Sequence, residues 1–540
     1  MPVRMIIKKS KMLRKLFLLA ASVFVISSLQ AQIGVTYASK MKMERALELI
    51  STNYVDPLPE DALIEDAIIG ILRELDPHSS YIRAEDLKAV NEDLVGNFEG
   101  IGIQFNILDD TIVVVWPIPD GPSEKLGIQA GDRIVIIDGE NVAGTGITND
   151  VVIKGLRGPK GTKVTVKIKR NGAGELLEYR ITRDKIPLYS IDAAYMATPE
   201  IGYIRLSRFS AGSAAEFSSN LKKLQSEGMK DLILDLRNNH GGYLNVAIDL
   251  ADEFLGKDKK IVYTQGMRSP RRDWFATPKG GFEKGKLAML IDDGSASASE
   301  IVAGAVQDWD RGLIIGRRSY GKGLVQREFG LPDGSAMRLT VARYYTPTGR
   351  SIQKPYADGL EAYRHEISER YESGEVIDPT TLDFPDSLKY YTPNKRVVYG
   401  GGGIMPDIFM PLDTTYNSAY SRDLLRKGTF TEFALAYANG HREELMKRYP
   451  DVAEFAKGFD VKAIMPEFIA KSESMGVAAD EAGLEQSRPV IEQRLKALIA
   501  RNLWNSSAYF QVINQIDPVF LKAVEAIEGE TFREMGVAHK

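Results

Sequence analysis

Two short, glycine-rich segments of the sequence carry residues that could perform nucleophilic catalysis. The first runs from Gly294 to Glu300, has Ser297 at its centre, and follows an apolar run that predicts a strand. Small residues between a strand and a helix let a substrate backbone approach closely, and the free N–H groups of a helix N-terminus can stabilise an oxyanion. A structural role competes, because Ser297 and Glu300 have the spacing of a capping box. This segment alone favours capping.

The second segment, Gly316 to Gly323, holds Lys322 between two glycines. A serine and a lysine at neighbouring strand ends suggest a Ser–Lys dyad, in which the lysine must be neutral to accept a proton. Its pKa would have to fall from ~10.4 toward ~7 through burial. The segment also matches a phosphate-binding P-loop, except that Gly323 stands where a serine or threonine should hold magnesium. That mismatch disfavours an NTPase.

A third glycine-containing turn follows the strand predicted over 232–236. It contains His240, Gly241 and Gly242, and α/β folds place ligands at the carboxyl ends of their strands. Its N–H groups could supply a second oxyanion donor, although a plain strand-to-helix turn is the favoured interpretation of this segment alone. The sequence has no G-x-S-x-G motif, no H-E-x-x-H pair and no cysteine. We therefore expect a reaction without metal or cofactor.

Composition and the N-terminus limit the class of protein. The 540 residues are 44% hydrophobic and 26% charged, with a formal net charge of −4. This mixture is typical of about three or four globular domains, and the lack of a basic excess argues against nucleic-acid binding. A basic stretch followed by the apolar run Leu16 to Leu29 predicts a signal peptide over residues 1–31. We expect export to the periplasm; an uncleaved anchor in the inner membrane is the alternative.

The hydrophobic pattern divides the rest of the chain into four parts. They are a helical N-terminal cap at 40–94, a β-rich domain at 95–185, an α/β domain at 186–412 and a helical extension at 413–540. Within the α/β part, strands predicted at 232–236, 287–291 and 313–316 lead into the three glycine-rich segments. A polar stretch at 355–395 with four prolines predicts a surface insertion.

Taken together, these motifs resemble the C-terminal processing, or tail-specific, serine peptidases. The matching motifs are Leu75 to Tyr81, Leu234 to Asn239, Gly294 to Glu300, Gly321 to Gly323 with Gln326, Tyr345 to Gln353 and Gly403 to Asp407. The separation of the serine and the lysine, 322 − 297 = 25 residues, is also that of the family. It selects Ser297 over Ser295 and Ser299.

The resemblance implies a role for each of several polar residues. Ser297 would attack the peptide carbonyl to form an acyl-enzyme, Lys322 would be its base, and Gln326 would orient the lysine. Glu300 and Asp308 would support the active-site helix.

The resemblance also implies an oxyanion hole, formed by the N–H of Ala298 and one from Gly241 or Gly242. The sequence departs from the family at His240, where proline or glycine is usual. Assistance by His240, and with it an imidazole-dependent serine hydrolase, therefore stays open.

The β-rich domain resembles a PDZ domain. Its signature is Leu126 to Ile134 followed by Ile137 to Gly139. Backbone N–H groups of one loop would hold a substrate's C-terminal carboxylate while the tail adds as a strand. The loop consists of Gly100, Ile101, Gly102 and Ile103. Arg157 matches a family arginine that couples this domain to the protease core.

The expected fold is therefore a multidomain one: a helical N-terminal cap, a PDZ-like β domain, an α/β protease core of the ClpP/crotonase type and a helical C-terminal extension. The expected function is a serine endopeptidase acting near the C-termini of exported proteins or peptides. The main alternative is an exported PDZ scaffold with an inactive protease fold. Partners such as an adaptor or a second copy of the chain stay open.

Overall fold

The computed structural model describes residues 36–170, 172–378, 380 and 385–537. The predicted signal peptide lies outside the described residues. No helix within them is long and apolar enough to cross a membrane. The chain divides into two compact units, Met1–Leu72 and Arg73–Lys540. Helix α1 (Tyr37–Asn53) belongs to the first, and α2 (Glu60–Arg73) ends at the unit boundary.

The predicted helical region at 40–94 needs correction beyond Arg73. Residues Ser80–Ile82 form a strand, β1, which pairs antiparallel with a strand of the α/β domain; Tyr81 lies opposite Met337. Helix α3 (Leu87–Val95) follows, and its C-cap Gly96 has a positive φ of 76°, which favours glycine. Backbone pairing with that distant strand thus determines the structure of residues 80–82.

The predicted β domain is confirmed. Two strands, β2 (Asn97–Gly100) and β9 (Asp184–Pro187), pair where the chain enters and leaves it. Between them, an antiparallel sheet has the order β3–β4–β5–β7–β8, with β6 beside β5. Its elements are β3 (Ile103–Leu108), β4 (Thr111–Pro117), α4 (Pro122–Lys125), β5 (Arg133–Ile137), β6 (Glu140–Asn141), α5 (Asn149–Leu156), β7 (Lys163–Lys169) and β8 (Leu177–Thr182).

The α/β domain is built on a six-stranded sheet of order β10–β11–β12–β15–β16–β21, in which only β10 is antiparallel. The three strands predicted from the sequence are its central ones. The elements are β10 (Ile191–Met196), β11 (Ile201–Leu206), α6 (Ser213–Ser226), β12 (Asp231–Asp235), α7 (Leu244–Asp252), β15 (Leu287–Ile291), α8 (Ala298–Asp308), β16 (Leu313–Gly316) and β21 (Ile408–Phe409). The three central strands are almost wholly buried, as continuous apolar runs in a parallel sheet require.

A second sheet packs beside the first and has the order β1–β18–β13–β14, with β17 on β18. Its strands other than β1 are β13 (Lys260–Gln265), β14 (Arg272–Phe275), β17 (Leu324–Gly330) and β18 (Ala336–Tyr345). β17 begins two residues after Lys322, so this hairpin fixes the lysine segment.

The stretch at 355–395 is not merely a surface insertion. It contains helix α9 (Gly359–Glu372), whose Tyr363 and Arg370 are buried, and β19 (Lys389–Tyr391), which pairs with β20 (Val397–Tyr399). Arg370 Nη1 donates to Ser319 O at 2.8 Å. Arg370 of α9 thus anchors the loop before Lys322. The polar composition of the stretch did not predict this contact.

The C-terminal extension is helical, as predicted, and has its own apolar core. Its helices are α10 (Ala419–Arg426), α11 (Thr429–Arg448), α12 (Val452–Gly458), α13 (Met465–Ser474), α14 (Glu481–Leu503), α15 (Ser506–Ile513), α16 (Pro518–Glu528) and α17 (Thr531–Glu534). Phe520 and Phe532 pack on the outer face of the central sheet. Leu435 of α11 packs on the β domain against Leu108, Val113 and Val115.

Candidate active site

Three loops meet at one edge of the central sheet. Strands β12, β15 and β16 are parallel neighbours, so their carboxyl ends lie side by side. Hydrogen bonds join the loops that follow: Ala296 N–H donates to Asn239 O at 3.0 Å, and Tyr320 N–H donates to Ser295 O at 2.9 Å. The topology thus brings together the three glycine-rich segments that stand apart in the sequence.

Only one of the three serines in the central loop is placed for catalysis. Ser295 and Ser299 are buried, and each hydroxyl donates to a backbone carbonyl: Ser295 to Leu236 O and Ser299 to Asn239 O, both at 2.8 Å. Ser297 is half-buried and lines an open cleft. The packing therefore distinguishes Ser297 from its neighbours independently of the 25-residue spacing.

The backbone of Ser297 is strained. Its φ of 55° and ψ of −110° lie in a region that serine seldom adopts, at the N-cap of α8. The Ser297–Glu300 capping box is present, and Ser297 N–H donates to Glu300 Oε2 at 2.8 Å. The Ser297 hydroxyl, however, makes no capping hydrogen bond of normal geometry with helix α8. Glu300 therefore accepts from the main chain of Ser297, while Ser297 still lines the cleft.

Glu300 is fully buried and accepts four hydrogen bonds. Besides Ser297, its donors are Lys322 N–H at 2.9 Å, Gly321 N–H at 2.7 Å and the Ser319 hydroxyl at 2.5 Å. Burial raises the pKa of Glu300, while these donors pull it back. Because all four partners donate, the site suits a carboxylate that fastens the lysine loop to the serine helix.

Lys322 lies in surroundings that lower its pKa. Its Nζ donates to Gln326 Oε1 at 3.1 Å. Burial lowers the pKa of Lys322, the nearby Arg338 charge lowers it further, and Glu300 and Asp76 act in the opposite direction. The net shift is downward, which is the direction required of a general base.

The second glycine turn lies directly against Ser297. A Cβ atom on Gly241 would come within 2.8 Å of both Ser297 Cβ and Ala298 N, so only glycine fits there. Gly241 N–H donates to Asn239 Oδ1 at 2.9 Å, whereas Gly242 N–H and Ala298 N–H have no hydrogen-bond partner among the described residues. Of the two glycines implied for the oxyanion hole, Gly242 is therefore the better donor.

Further residues complete the cleft, whose volume is about 660 Å³. His240 lines it and is exposed. Tyr344 was not expected from the sequence. Its hydroxyl is 2.6 Å from Lys322 O and 3.1 Å from Ser297 O. These contacts depend on the pairing of β17 with β18. No local sequence motif predicts them.

The P-loop alternative for Gly316 to Gly323 is wrong. A P-loop leads into a helix whose N-terminus binds phosphate. Here the residues after Lys322 form strand β17, and the lysine amine contacts Gln326.

The predicted carboxylate loop of the β domain has a suitable backbone. The carbonyl of Ile101 accepts from Ser123 N–H at 3.1 Å, and that of Gly102 accepts from Ile118 N–H at 2.9 Å. The N–H groups of Ile101 and Gly102 have no partner within the described chain. Gly100 ends β2, and Ile103 begins β3, which is an edge strand of the sheet. A peptide could therefore add along β3 with its carboxylate at this loop.

Arg157 reaches the α/β domain through an intermediary. It forms an ion pair with Glu92 of helix α3, and its guanidinium lies 4.4 Å from the centre of the Phe98 ring. The adjacent Asn91 accepts from Arg338 Nη2 at 2.9 Å, in the cleft that Ser297 lines. These contacts connect Arg157 to the cleft by way of α3, and the coupling itself stays a prediction.

Comparison with known protein families agrees with this architecture. Residues 200–361 match peptidase family S41, residues 100–181 match a PDZ domain, and residues 23–86 match the N-terminal domain of the activating protease CtpB. Residues 420–505 match a family of unknown function.

Individual relatives agree as well. A carboxy-terminal-processing protease of Bartonella bacilliformis is 40% identical over 355 residues, which are 63% of this chain and 81% of that protein. The carboxy-terminal processing protease CtpB of Bacillus subtilis is 36% identical over 318 residues, or 58% of this chain and 65% of that protein. A solved photosystem II D1 C-terminal processing protease, 27% identical with a TM-score of 0.35, covers 68% of this chain and 86% of its own. Identity at this level, over most of a relative's length, means that the chain belongs to the carboxy-terminal-processing serine proteases of peptidase family S41.

Proposed function

We propose that this protein is an exported endopeptidase that cleaves protein substrates near their C-termini with a Ser297–Lys322 dyad. The observation that carries the proposal is the shared carboxylate: Glu300 Oε2 accepts from the main chain of both residues. Two further observations support it. Gln326 accepts a hydrogen bond from the lysine amine, and the N–H groups of Ala298 and Gly242 beside the serine have no partner among the described residues.

Acylation needs one proton transfer in each direction. Neutral Lys322 takes the proton from Ser297 Oγ as that oxygen bonds to the scissile carbonyl carbon. The N–H groups of Ala298 and Gly242 stabilise the oxyanion that forms. The lysine ammonium then gives its proton to the leaving amine, the C–N bond breaks, and an acyl ester remains on Ser297.

Deacylation repeats these steps with water. Lys322 takes a proton from the attacking water, the tetrahedral oxyanion forms again, and its collapse breaks the ester bond. Ser297 Oγ recovers the proton from the lysine, and the new carboxyl product leaves.

The β domain supplies selectivity for protein ends in this proposal. A free C-terminal carboxylate would bind the unpaired N–H groups of Ile101 and Gly102 while the tail extends along β3. A substrate with an amidated C-terminus lacks the negative charge and should be cleaved more slowly.

Export to the periplasm is part of the proposal and rests on residues 1–31, whose basic stretch and apolar run suit a signal peptide. Fractionation of cells, with N-terminal sequencing of the mature protein, would locate the protein and show whether the segment is removed.

The deciding experiment incubates the purified mature protein with an unfolded substrate that has a free apolar tail, and maps the cleavage sites by mass spectrometry. We expect cleavage near the C-terminus, slower cleavage of the amidated substrate, and none by Ser297→Ala. Tail binding without cleavage by the wild type would instead identify an inactive PDZ scaffold.

A further inference from the structure

The amide of Gln326 is held from both sides. Its Oε1 accepts from Lys322 Nζ at 3.1 Å, while its Nε2 donates to the main-chain carbonyl of His78. A carbonyl oxygen can only accept, so it fixes which end of the amide faces it. The His78 carbonyl therefore directs the oxygen of Gln326 toward the lysine.

His78 itself is anchored by a short loop that Asp76 organises. Asp76 Oδ1 accepts from the N–H groups of His78 and Ser79 at 2.8 and 2.9 Å, and its Oδ2 accepts from the Ser79 hydroxyl at 2.6 Å. The His78 imidazole contacts the buried Tyr363 hydroxyl at 2.8 Å. Both sides of the His78 peptide are thus fixed.

The loop is attached to the same strand pair that carries Gln326. Thr340 of β18 lies opposite Gln326 in the β17–β18 ladder, and its hydroxyl donates to Asp76 Oδ1 at 3.0 Å. Thr340 N–H donates to Ser79 Oγ at 3.1 Å. The residues after the loop continue as β1 along β18. Three strands therefore set the position of the His78 carbonyl relative to Gln326.

We propose that Asp76 and the His78 carbonyl are positioning groups, which hold the Gln326 amide with its oxygen toward Lys322 and select glutamine rather than glutamate at that position. The inference rests on the proposed role of Lys322 as the base. It assigns a catalytic purpose to the segment Leu75 to Tyr81, which the reaction steps themselves do not use.

The selection of glutamine follows from simple chemistry. A glutamate at 326 would set a carboxylate oxygen against the His78 carbonyl, two acceptors without a proton between them. Its negative charge beside Nζ would also favour the ammonium form of Lys322. Both effects oppose a neutral, oriented amine.

The test is a double-mutant cycle in the full-length protein, read at a pH where the rate no longer rises. Asp76→Asn should lower kcat between about tenfold and a hundredfold with little change in KM, because the amine is misplaced and not the substrate. In a Gln326→Ala background the same substitution should have no further effect on kcat, since the group through which it acts is gone. Gln326→Glu should lower kcat and move the pH profile upward.

Asp333→Asn is the matched control. Asp333 accepts from the N–H and hydroxyl of Ser335 at 3.1 and 2.6 Å, as Asp76 does from Ser79, but lies in the β17–β18 turn away from the dyad. It should leave kcat unchanged. If Asp76→Asn fails to fold, Thr340→Val removes one bond to Asp76 without changing charge, and its smaller loss of kcat should also vanish in the Gln326→Ala background.

Several results would overturn the inference. They are additive losses in the double mutant, a change confined to KM, or equal effects of Asp76→Asn and Asp333→Asn. Failure of the underlying dyad would look different, because Lys322→Ala would then still cleave substrate.

Discussion

The main-chain N–H groups of Ser297 and Lys322 donate to the same oxygen atom. Glu300 Oε2 accepts from Ser297 N–H at 2.8 Å and from Lys322 N–H at 2.9 Å, inside a fully buried site. The residues are 322 − 297 = 25 apart in the chain, and the shared oxygen fixes the two segments relative to one another. The relative positions of the two residues of the proposed dyad thus depend on this buried carboxylate.

Replacing this carboxylate should impair catalysis. Glu300→Gln puts an amide NH₂ where every partner is a donor, so at least one buried N–H loses its acceptor at a cost of about 1–3 kcal/mol in the free energy of unfolding. We expect kcat to fall about a hundredfold as the dyad loosens. Steady-state kinetics with urea unfolding would measure both quantities. The exposed Glu369→Gln is the control, and equal behaviour of the two variants would contradict the role of Glu300.

The pH dependence of cleavage should report Lys322. Because burial and the Arg338 charge lower its pKa, the neutral amine becomes populated below the pH expected for free lysine. The base is active when deprotonated, so kcat/KM should rise with pH through this lowered pKa. Arg338→Ala removes a positive charge and should move the rising limb to higher pH. A rising limb that follows His240, and disappears in His240→Ala, would contradict the lysine.

The positions of the three glycine-rich segments could be predicted from the sequence, because buried parallel strands read as apolar runs and ligands lie at their carboxyl ends. Lys322 and Gln326 followed from spacing within a family. Tyr344 could not be found in this way, and neither could the role of Asp76, although Asp76 lies in the family motif Leu75 to Tyr81. Their contacts with the site depend on the register of β18 with β17 and β1, which no local pattern encodes.

Arg157 should affect turnover more than tail binding. Its ion pair with Glu92 connects the PDZ domain to α3, whose Asn91 contacts Arg338 in the cleft. We expect Arg157→Ala to lower kcat while the full-length protein binds a tail peptide almost normally, and the swap Arg157→Glu with Glu92→Arg to restore part of kcat. Kinetics and peptide titration together would test this. A change in KM alone would mean that the domain only tethers substrate.

The C-terminal extension should stabilise the PDZ domain through Leu435. This side chain is 1% exposed and packs against Leu108, Val113 and Val115. Leu435→Ala should cost about 2–5 kcal/mol in the free energy of unfolding. Urea unfolding in a Ser297→Ala background, which prevents self-cleavage, would measure it. Leu425, which is 49% exposed, gives the control Leu425→Ala. An equal, small effect of both would show that the contact contributes little.

The packing partners of residues 413–540 could not be predicted from the sequence. Their apolar periodicity predicted helices, but not where those helices dock. Phe520 on the central sheet and Leu435 on the PDZ sheet lie in different helices with different partners. Docking depends on the shapes of surfaces far away in the chain.

The most direct measurement of the central claim is covalent labelling by a fluorophosphonate, located by peptide mass spectrometry. Such a reagent reacts with an activated serine. The account predicts a single adduct on Ser297, a labelling rate that rises with pH, loss of labelling in Lys322→Ala, and retention in His240→Ala. An adduct elsewhere, or labelling that survives in Lys322→Ala and disappears in His240→Ala, would contradict it.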